Sequence, residues 1–368
     1  MSQPFTPLVD SLPSSVPFVG PEALERRSGT RFRARIGANE SVFGPSPAVI
    51  AAMQAAAGEA WQYCDPENHD LKAALATHLG VAPENVVVGE GIDGLFGYAV
   101  RLFVEPGVTV ATSLGAYPTF NFHVRGFGGR LVTTSYVEDR EDPASLLHLA
   151  RHEGARLIYF ANPDNPMGSW WPAADVEGMI AGLPDGALLM LDEAYGEFAP
   201  DCTLPPLDVS NPRVLRFRTF SKAYGLAGMR LGYAIGHADL IRAFDKIRNH
   251  FGVTRLSQAA GLAALADQGH LAAVIANVAK ARGEIARIAR GNGLSPLPSA
   301  ANFVAIDCGR DGPYARRILE ALGRRGVFVR MPGVAPLDRC IRVSAGTDAD
   351  LAIFEAELPA AIADARQM

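Results

Sequence analysis

Thr219-Phe220-Ser221-Lys222-Ala223-Tyr224-Gly225-Leu226-Ala227-Gly228-Met229-Arg230 is the stretch on which the reading of this chain turns. It follows Val214-Leu215-Arg216-Phe217-Arg218, whose alternation predicts a strand, so Lys222 falls where a strand gives way to a loop or helix. Two hydroxyls, Thr219 and Ser221, precede the amine, small residues follow it, and Arg230 comes eight positions later. Such a combination can hold a phosphate beside the amine, because glycines admit backbone close to a ligand and arginine forms charge-assisted hydrogen bonds to phosphate. A solvated lysine in a polar turn has the same local sequence, so the surroundings decide.

Working outward, Ala187-Leu188-Leu189-Met190-Leu191 has no polar alternation, which predicts a strand buried on both faces as in a parallel sheet; it ends in Asp192-Glu193-Ala194-Tyr195. Arg156 to Phe160 predicts another strand, running into Ala161-Asn162-Pro163-Asp164-Asn165-Pro166-Met167-Gly168, a loop by its turn residues. Leu231 to Ile235 is a further strand. Earlier, Val86-Val87-Val88 runs into Gly89-Glu90-Gly91-Ile92-Asp93-Gly94 and a helix from Ile92 to about Val104. That spacing matches the dinucleotide fingerprint, which also wants an acid about 20 residues on, at the end of the next strand. The next strand, Thr109 to Thr112, ends in Ser113-Leu114-Gly115. The acid is missing, and only the general inference stands, that a helix N-terminus offers N–H groups to an anion. The repeated alternation predicts an α/β fold with parallel strands predominating, whose ligands bind at the strands' carboxyl ends, where Asn165, Asp192 and Lys222 fall.

With 368 residues the chain is long enough for two domains. Residues 1–40 read as an N-terminal arm with part of a smaller domain, 41–250 as the large domain, and 251–368 as the C-terminal small domain. Ser46 is placed to cap a helix from Pro47 to about Ala57, and another helix is expected from about His69 to Leu79. Beyond Ala238 come long helices, Leu256 to Gln268 and His270 to Arg290, then a small α+β unit ending in a helix from Asp350. The first 20 residues hold four prolines and no basic residue, which is unlike a signal peptide. A net charge of −5 leaves no basic excess for nucleic acid or a membrane surface. The four cysteines, at 64, 202, 308 and 340, have neither metal spacing nor disulfide density, so free thiols in a reducing cytoplasm are expected and no metal site.

An aspartate at the end of a buried strand needs a partner, and a protonated pyridine nitrogen is an apt one. Asparagine and tyrosine can both hydrogen-bond a phenolate oxygen, and lysine can form a Schiff base with an aldehyde. Taken singly, Asp192 can equally be a turn acid, Asn165 a turn former and Tyr195 a core aromatic.

Taken in order, Asn-Pro-x-Gly at 165–168, Asp-Glu-Ala-Tyr at 192–195, Ser-Lys-Ala-Tyr-Gly-Leu-Ala-Gly-Met-Arg at 221–230 and Cys-Ile-Arg-Val-Ser-Ala-Gly-Thr at 340–347 resemble the class I/II aminotransferases of pyridoxal phosphate (PLP) fold type I. Gly37-Ala38-Asn39-Glu40, Phe43-Gly44-Pro45-Ser46-Pro47, Tyr63 with Asp65-Pro66, and Gly326-Val327-Phe328-Val329-Arg330 are similar to the histidinol-phosphate aminotransferase branch. The resemblance covers nearly the whole chain. It implies an aspartate aminotransferase-like fold with a large mostly parallel sheet domain and a small α+β domain. It also implies a PLP enzyme with Lys222 as its Schiff-base lysine and proton carrier, Asp192 on the pyridine nitrogen, and Asn165 and Tyr195 on the ring oxygen. Phosphate would sit against Gly91, Ile92, Asp93, Thr219, Ser221 and Arg230, with Tyr63 reaching it from the other subunit of a homodimer and Phe120 stacked on the ring. Arg342 would clamp the substrate carboxylate, with Asn39 nearby, and Arg330 matches a residue facing a substrate phosphate.

Departures from the branch cluster around substrate: Gly91-Ile92-Asp93-Gly94 replaces the usual Gly-Ser-Asp-Glu, Pro17-Phe18 replaces Pro-Tyr, and His250-Phe251-Gly252-Val253-Thr254 replaces Pro-Tyr-Asn-Val-Asn. Phe18, Phe120 and Phe251 would suit an apolar or aromatic side chain. The expected activity is amino transfer between an L-amino acid, or histidinol phosphate, and a 2-oxo acid, with 2-oxoglutarate and glutamate as the second pair. The alternatives on the same scaffold are a PLP decarboxylase of the threonine-phosphate type and a non-catalytic PLP-fold binding protein; the presence of both Lys222 and Asp192 argues against the latter.

Overall fold

The structure, a computed structural model, describes residues 4–14 and 19–367. A two-residue strand β1 (Ala34–Arg35) precedes the seven strands of the main sheet: β2 (Val86–Gly89), β3 (Thr109–Ser113), β4 (Arg130–Thr134), β5 (Leu157–Ala161), β6 (Leu188–Asp192), β7 (Val214–Thr219) and β8 (Gly232–Gly236). β9 (Ser295–Pro296), β10 (Phe303–Asp307), β11 (Val327–Phe328) and β12 (Cys340–Ser344) follow. The main sheet has the order β2-β8-β7-β6-β5-β3-β4. Strands β4, β3, β5, β6 and β7 are parallel; β8 is antiparallel to both of its neighbours. The exception has a local cause. A parallel return needs a crossover of a dozen or more residues, usually helical, and the segment from Phe220 to Leu231 carries only the short 3-10 turn Ala227–Met229. The chain therefore turns straight back beside β7, and the Lys222 stretch becomes the loop between two antiparallel strands.

Edge strand β4 is not announced by the sequence pattern, because an edge strand exposed along much of its length needs no continuous apolar run. Ser46 caps the helix Pro47–Ala57 as expected, its hydroxyl accepting from Val49 N at 3.2 Å. The helix Arg255–Ala266 packs on Pro47–Ala57 and His69–Leu79, whereas Gln268–Gly291 packs on β9 and β10, and the two helices meet at 81°. Among the described residues no single helix is long and apolar enough to cross a membrane. β1 pairs in parallel with β11, which ties the N-terminal segment to the C-terminal unit and brings Asn39 in front of the carboxyl ends of the main sheet.

Gly225 holds the Lys222 loop closed. Its N–H donates to Lys222 O at 3.1 Å, its φ is +69°, and a Cβ there would lie 2.4 Å from Gly44 O, a backbone atom that cannot swing away. Gly225→Ala is expected to lower stability by about 2–4 kcal/mol, from left-handed strain together with overpacking. Gly228→Ala, on the same loop with nothing within 4 Å of the added methyl, is the control. Denaturant midpoints of the two variants against wild type check the expectation.

Candidate active site

The carboxyl ends of β5, β6 and β7 open into a cavity of about 350 Å³. Lys222 lies on its floor, its Nζ donating to Asn39 O at 3.1 Å and standing 5.6 Å from the centre of the Tyr195 ring. The amine is partly open to the cavity but walled by protein, and burial, aided by the positive charge of Arg342, pulls it down to about 8. Asp192 closes β6. Tyr159 donates to its Oδ2 at 2.6 Å and Ala194 N to its Oδ1 at 2.9 Å, and burial still pushes the carboxyl up to about 7, because no cation is provided. The next residue, Glu193, points to the opposite side of the sheet, where it is fully buried against Arg216 at 2.5 Å and Arg218 at 2.9 Å on β7.

Asn39 gathers the site. Its Nδ2 donates to Tyr195 OH at 3.0 Å, its Oδ1 accepts from Ser344 Oγ at 2.9 Å, its own N–H donates back to Ser344 Oγ at 3.0 Å, and its carbonyl accepts from Asn302 Nδ2 at 3.0 Å as well as from Lys222. A φ of 55° lets one residue face both ways, a conformation asparagine tolerates better than most. Asn165 Nδ2 donates to the same Tyr195 hydroxyl at 3.3 Å, and burial pushes that phenol up to about 12.

At one end of the cavity, Ile92, Asp93, Thr219, Ser221 and Arg230 form a cup. Gly91, with φ +76°, begins the helix Gly91–Phe103, so the first free N–H groups of that helix point inward; a Cβ on Gly91 would meet Arg230 Nη2 at 2.5 Å. Ser221 N donates to Thr219 Oγ1 at 3.0 Å and fixes that hydroxyl. A helix N-terminus, two hydroxyls and a guanidinium make a site for a phosphate dianion. At the other end, the bridge between Arg330 and Arg342 sets two arginines side by side. Arg342 donates to Asn165 Oδ1, lies over the Phe303 ring at 5.2 Å, and has no carboxylate partner among the described residues; burial brings it down to about 10. Arg330 donates to Val19 O at 3.0 Å. A larger, mostly apolar chamber walled by Leu114, Leu131, Phe328, Met331 and Val334 adjoins this pair.

Asn39, Ile92, Asp93, Asn165, Asp192, Tyr195, Thr219, Ser221, Lys222, Arg230, Arg330 and Arg342 thus meet around one cavity. Phe120 does not line it. That side chain is wholly buried and stacked on Tyr159 at 4.4 Å, because the helix Pro118–Gly126 turns it into the core. Besides Tyr195, the aromatic at the cavity is Tyr117, just before that helix, its hydroxyl donating to Asp93 Oδ1 at 2.9 Å. Phe251 and Tyr63 also lie outside the lining, exposed, with ring centres 4.8 Å apart. Phe18 falls outside the described residues. Sequence reasoning missed Tyr117, Tyr159, Asn302 and Ser344; the Ser344 position lay within a quoted motif, but nothing in its spacing pointed to Asn39. Among the described residues no cluster fit for a metal ion exists.

The donor set fits a ligand that carries an aldehyde, a basic ring nitrogen, a ring oxygen and a phosphate. Asp192 has neutral donors only, burial lowers the Lys222 amine toward its neutral form, Tyr195 and Asn165 converge on one point, and the cup sets helix N–H groups, two hydroxyls and Arg230 around one space. Known proteins agree. A solved histidinol-phosphate aminotransferase from Sinorhizobium meliloti, in complex with pyridoxal-5'-phosphate, is 57% identical, with a TM-score of 0.96 over 99% of this chain and 98% of that one. The histidinol-phosphate aminotransferase 1 of Mesorhizobium japonicum is 33% identical over 92% of each chain. The Thermus thermophilus aspartate aminotransferase with maleate, at 21% identity and a TM-score of 0.81 over 98% of this chain and all of that one, shares the fold. The family model "Aminotransferase class I and II" matches residues 35–356, and with it the fold type I architecture expected from the motifs is established: the chain belongs to the class I and II aminotransferases.

Proposed function

We propose that this PLP-dependent aminotransferase moves an amino group between histidinol phosphate and 2-oxoglutarate, with glutamate as the second product. The observation that carries the reading is the buried Lys222 amine set in one cavity with Asp192, a phosphate cup, and the arginine pair 330/342. The arginines suit both partners, a phosphate ester in one half of the reaction and carboxylates in the other. The relatives' names support histidinol phosphate. An aromatic amino acid is the second reading. Neither Phe120 nor Phe251 lines the cavity, and Phe18 lies outside the described residues, so it rests instead on the apolar chamber beside Arg330 and Arg342.

When bound, PLP supplies an aldehyde that captures the substrate amine and a ring that accepts the electron pair left at Cα. Asp192 would hold the proton on the pyridine nitrogen, and this cation would return the carboxyl to its ionised form. Tyr195 and Asn165 would bind the ring oxygen, and Tyr117, fixed by Asp93, would lie against the ring face. Ile92, Asp93, Thr219, Ser221 and Arg230, with the Gly91 turn, would anchor the phosphate. Lys222, once free, would carry the proton from substrate Cα, its amine kept near neutrality by burial.

We propose further that the protein is a homodimer in which Tyr63 reaches the partner's phosphate cup, supported by the exposure of Tyr63 and Phe251 side by side and of Trp61 two residues before Tyr63. The large body, expected over 41–250, would extend to Ala266, because the helix Arg255–Ala266 packs on Pro47–Ala57 and His69–Leu79, and 267–368 with 1–40 would form the smaller one. The chain would leave the large body at Asp267, between the two bent helices.

The deciding experiment mixes PLP-loaded protein, in single turnover, with histidinol phosphate, glutamate, phenylalanine or phosphothreonine. Formation of pyridoxamine phosphate with histidinol phosphate and with glutamate is expected; carbon dioxide release without an oxo acid would identify a decarboxylase. Lys222→Ala should cut turnover by about 10³-fold or more. Arg342→Lys, losing the bidentate fork, should raise the KM for glutamate about tenfold with a smaller change in kcat. Because only the neutral amine attacks an aldehyde, attachment of PLP to the cofactor-free protein should slow about tenfold per pH unit below about 8 and level off above it, measured by stopped-flow absorbance.

A further inference from the structure

Behind the Asn165–Arg342 contact lie two carboxyl groups that the reaction does not use. Glu141 and Asp164 are each 1% exposed. They face each other within hydrogen-bond reach, and the hydroxyl of Ser113, itself fully buried, is in reach of Glu141 as well. Glu141 Oε1 accepts from Ala161 N at 3.2 Å, while Glu141 Oε2 is buried with no donor. Asp164 is better supplied: Tyr136 OH donates to its Oδ1 at 2.8 Å and Met167 N to its Oδ2 at 3.0 Å. Among the described residues no lysine, arginine or histidine hydrogen-bonds either group. The titratable and charged groups facing them are Tyr136 after β4, Tyr159 on β5, Tyr195 after β6 and Arg342 on β12. Two ionised carboxylates in contact in an apolar interior would repel, and one oxygen would have no proton to accept; a proton between them removes both costs.

Asp164 is also the keystone of its loop. Its N–H donates to Ser169 O at 2.8 Å and its carbonyl accepts from Gly168 N at 3.1 Å, while its side chain holds Met167 N. Asn165, the next residue, takes its direction from this frame and meets Arg342 and Tyr195.

We propose that Glu141 and Asp164 share a single proton, carried on Glu141 Oε2 and donated to Asp164, and that the one negative charge so retained acts as a positioning element for Asn165 and Arg342. Burial raises both carboxyls above their usual range, the direction that sharing requires, and the charge of Asp164 helps keep Arg342 protonated. The placement of substrate through Arg342 rests on the function proposed above; the shared proton does not.

Glu141→Gln replaces the shared proton with an amide N–H and keeps the carbonyl for Ala161 N. The folded pair holds a proton that the unfolded chain has lost by about pH 5, so unfolding releases it and the unfolding constant of the wild type gains a factor of about ten per pH unit from this pair above about pH 5, for as long as the folded pair keeps the proton. In the PLP-loaded Glu141→Gln protein that slope should be shallower by about one proton, with contributions from other buried acids cancelling in the comparison. Its KM for glutamate should stay within about twofold of wild type, whereas Glu141→Leu and Asp164→Asn should raise KM about fivefold or more with kcat less affected. A wild-type slope in Glu141→Gln would overturn the shared proton, and wild-type KM in both Glu141→Leu and Asp164→Asn would overturn the positioning role. An unchanged KM in Arg342→Lys would instead refute the substrate clamp, leaving the slope comparison to stand by itself.

Discussion

The site depends on one buried asparagine. Asn39 comes from the segment that β1 ties to the C-terminal unit, yet its carbonyl holds Lys222 and its amide holds Tyr195, both from loops of the main sheet. Ser344 and Asn302 occupy its remaining groups from the C-terminal side. Each backbone and side-chain polar group of Asn39 has a partner, which a residue only 2% exposed requires, since an unmade buried hydrogen bond costs about 1–3 kcal/mol. Lys222 and Tyr195 are therefore positioned by a residue outside the sheet on which they lie. A movement of the C-terminal unit would be felt at the amine through this single contact set.

Around that clasp, the protein leaves three charges only partly compensated. Burial moves Lys222, Asp192 and Arg342 each toward its neutral form, and among the described residues none has an oppositely charged side chain in contact. The cup at Ile92, Asp93 and Arg230 adds unpaired helix N–H groups. Such an arrangement is unfavourable for the empty protein and favourable for a ligand with complementary charges, so part of the binding energy of the cofactor and substrate is prepared by what folding leaves unsatisfied.

The carboxyl-end positions of Asn165, Asp192 and Lys222 were legible because strand ends in an α/β sheet can be read from apolar runs and their polar stops. The capped helix at Ser46 was legible for a similarly local reason. Phe120 was misplaced because it lies three positions after Tyr117, and whether an aromatic faces a cavity or the core depends on the phase at which its helix starts, which the loop before it does not reveal. The antiparallel setting of β8 follows from a loop too poor in helix to cross over, a feature present in the sequence but visible only when the connection is considered with both strands. Tyr159, Asn302 and Ser344 act across long sequence separations, and nothing local distinguishes them from ordinary strand and turn residues.

Asp192 and Glu193 show how far adjacency in sequence can mislead about chemistry. Both are buried acids at the end of β6, and the pleat sends them to opposite faces. Glu193 meets Arg216 and Arg218, alternate positions on one face of the neighbouring strand β7, and these guanidiniums meet its charge within the fold. Asp192, on the cavity side, receives only the Tyr159 hydroxyl and the Ala194 N–H, two neutral donors that do not offset its desolvation. Exchanging the two environments would saturate the cavity-side acid and leave an uncompensated charge beneath the sheet. The fold thus completes one acid with two cations and gives the other neutral donors alone.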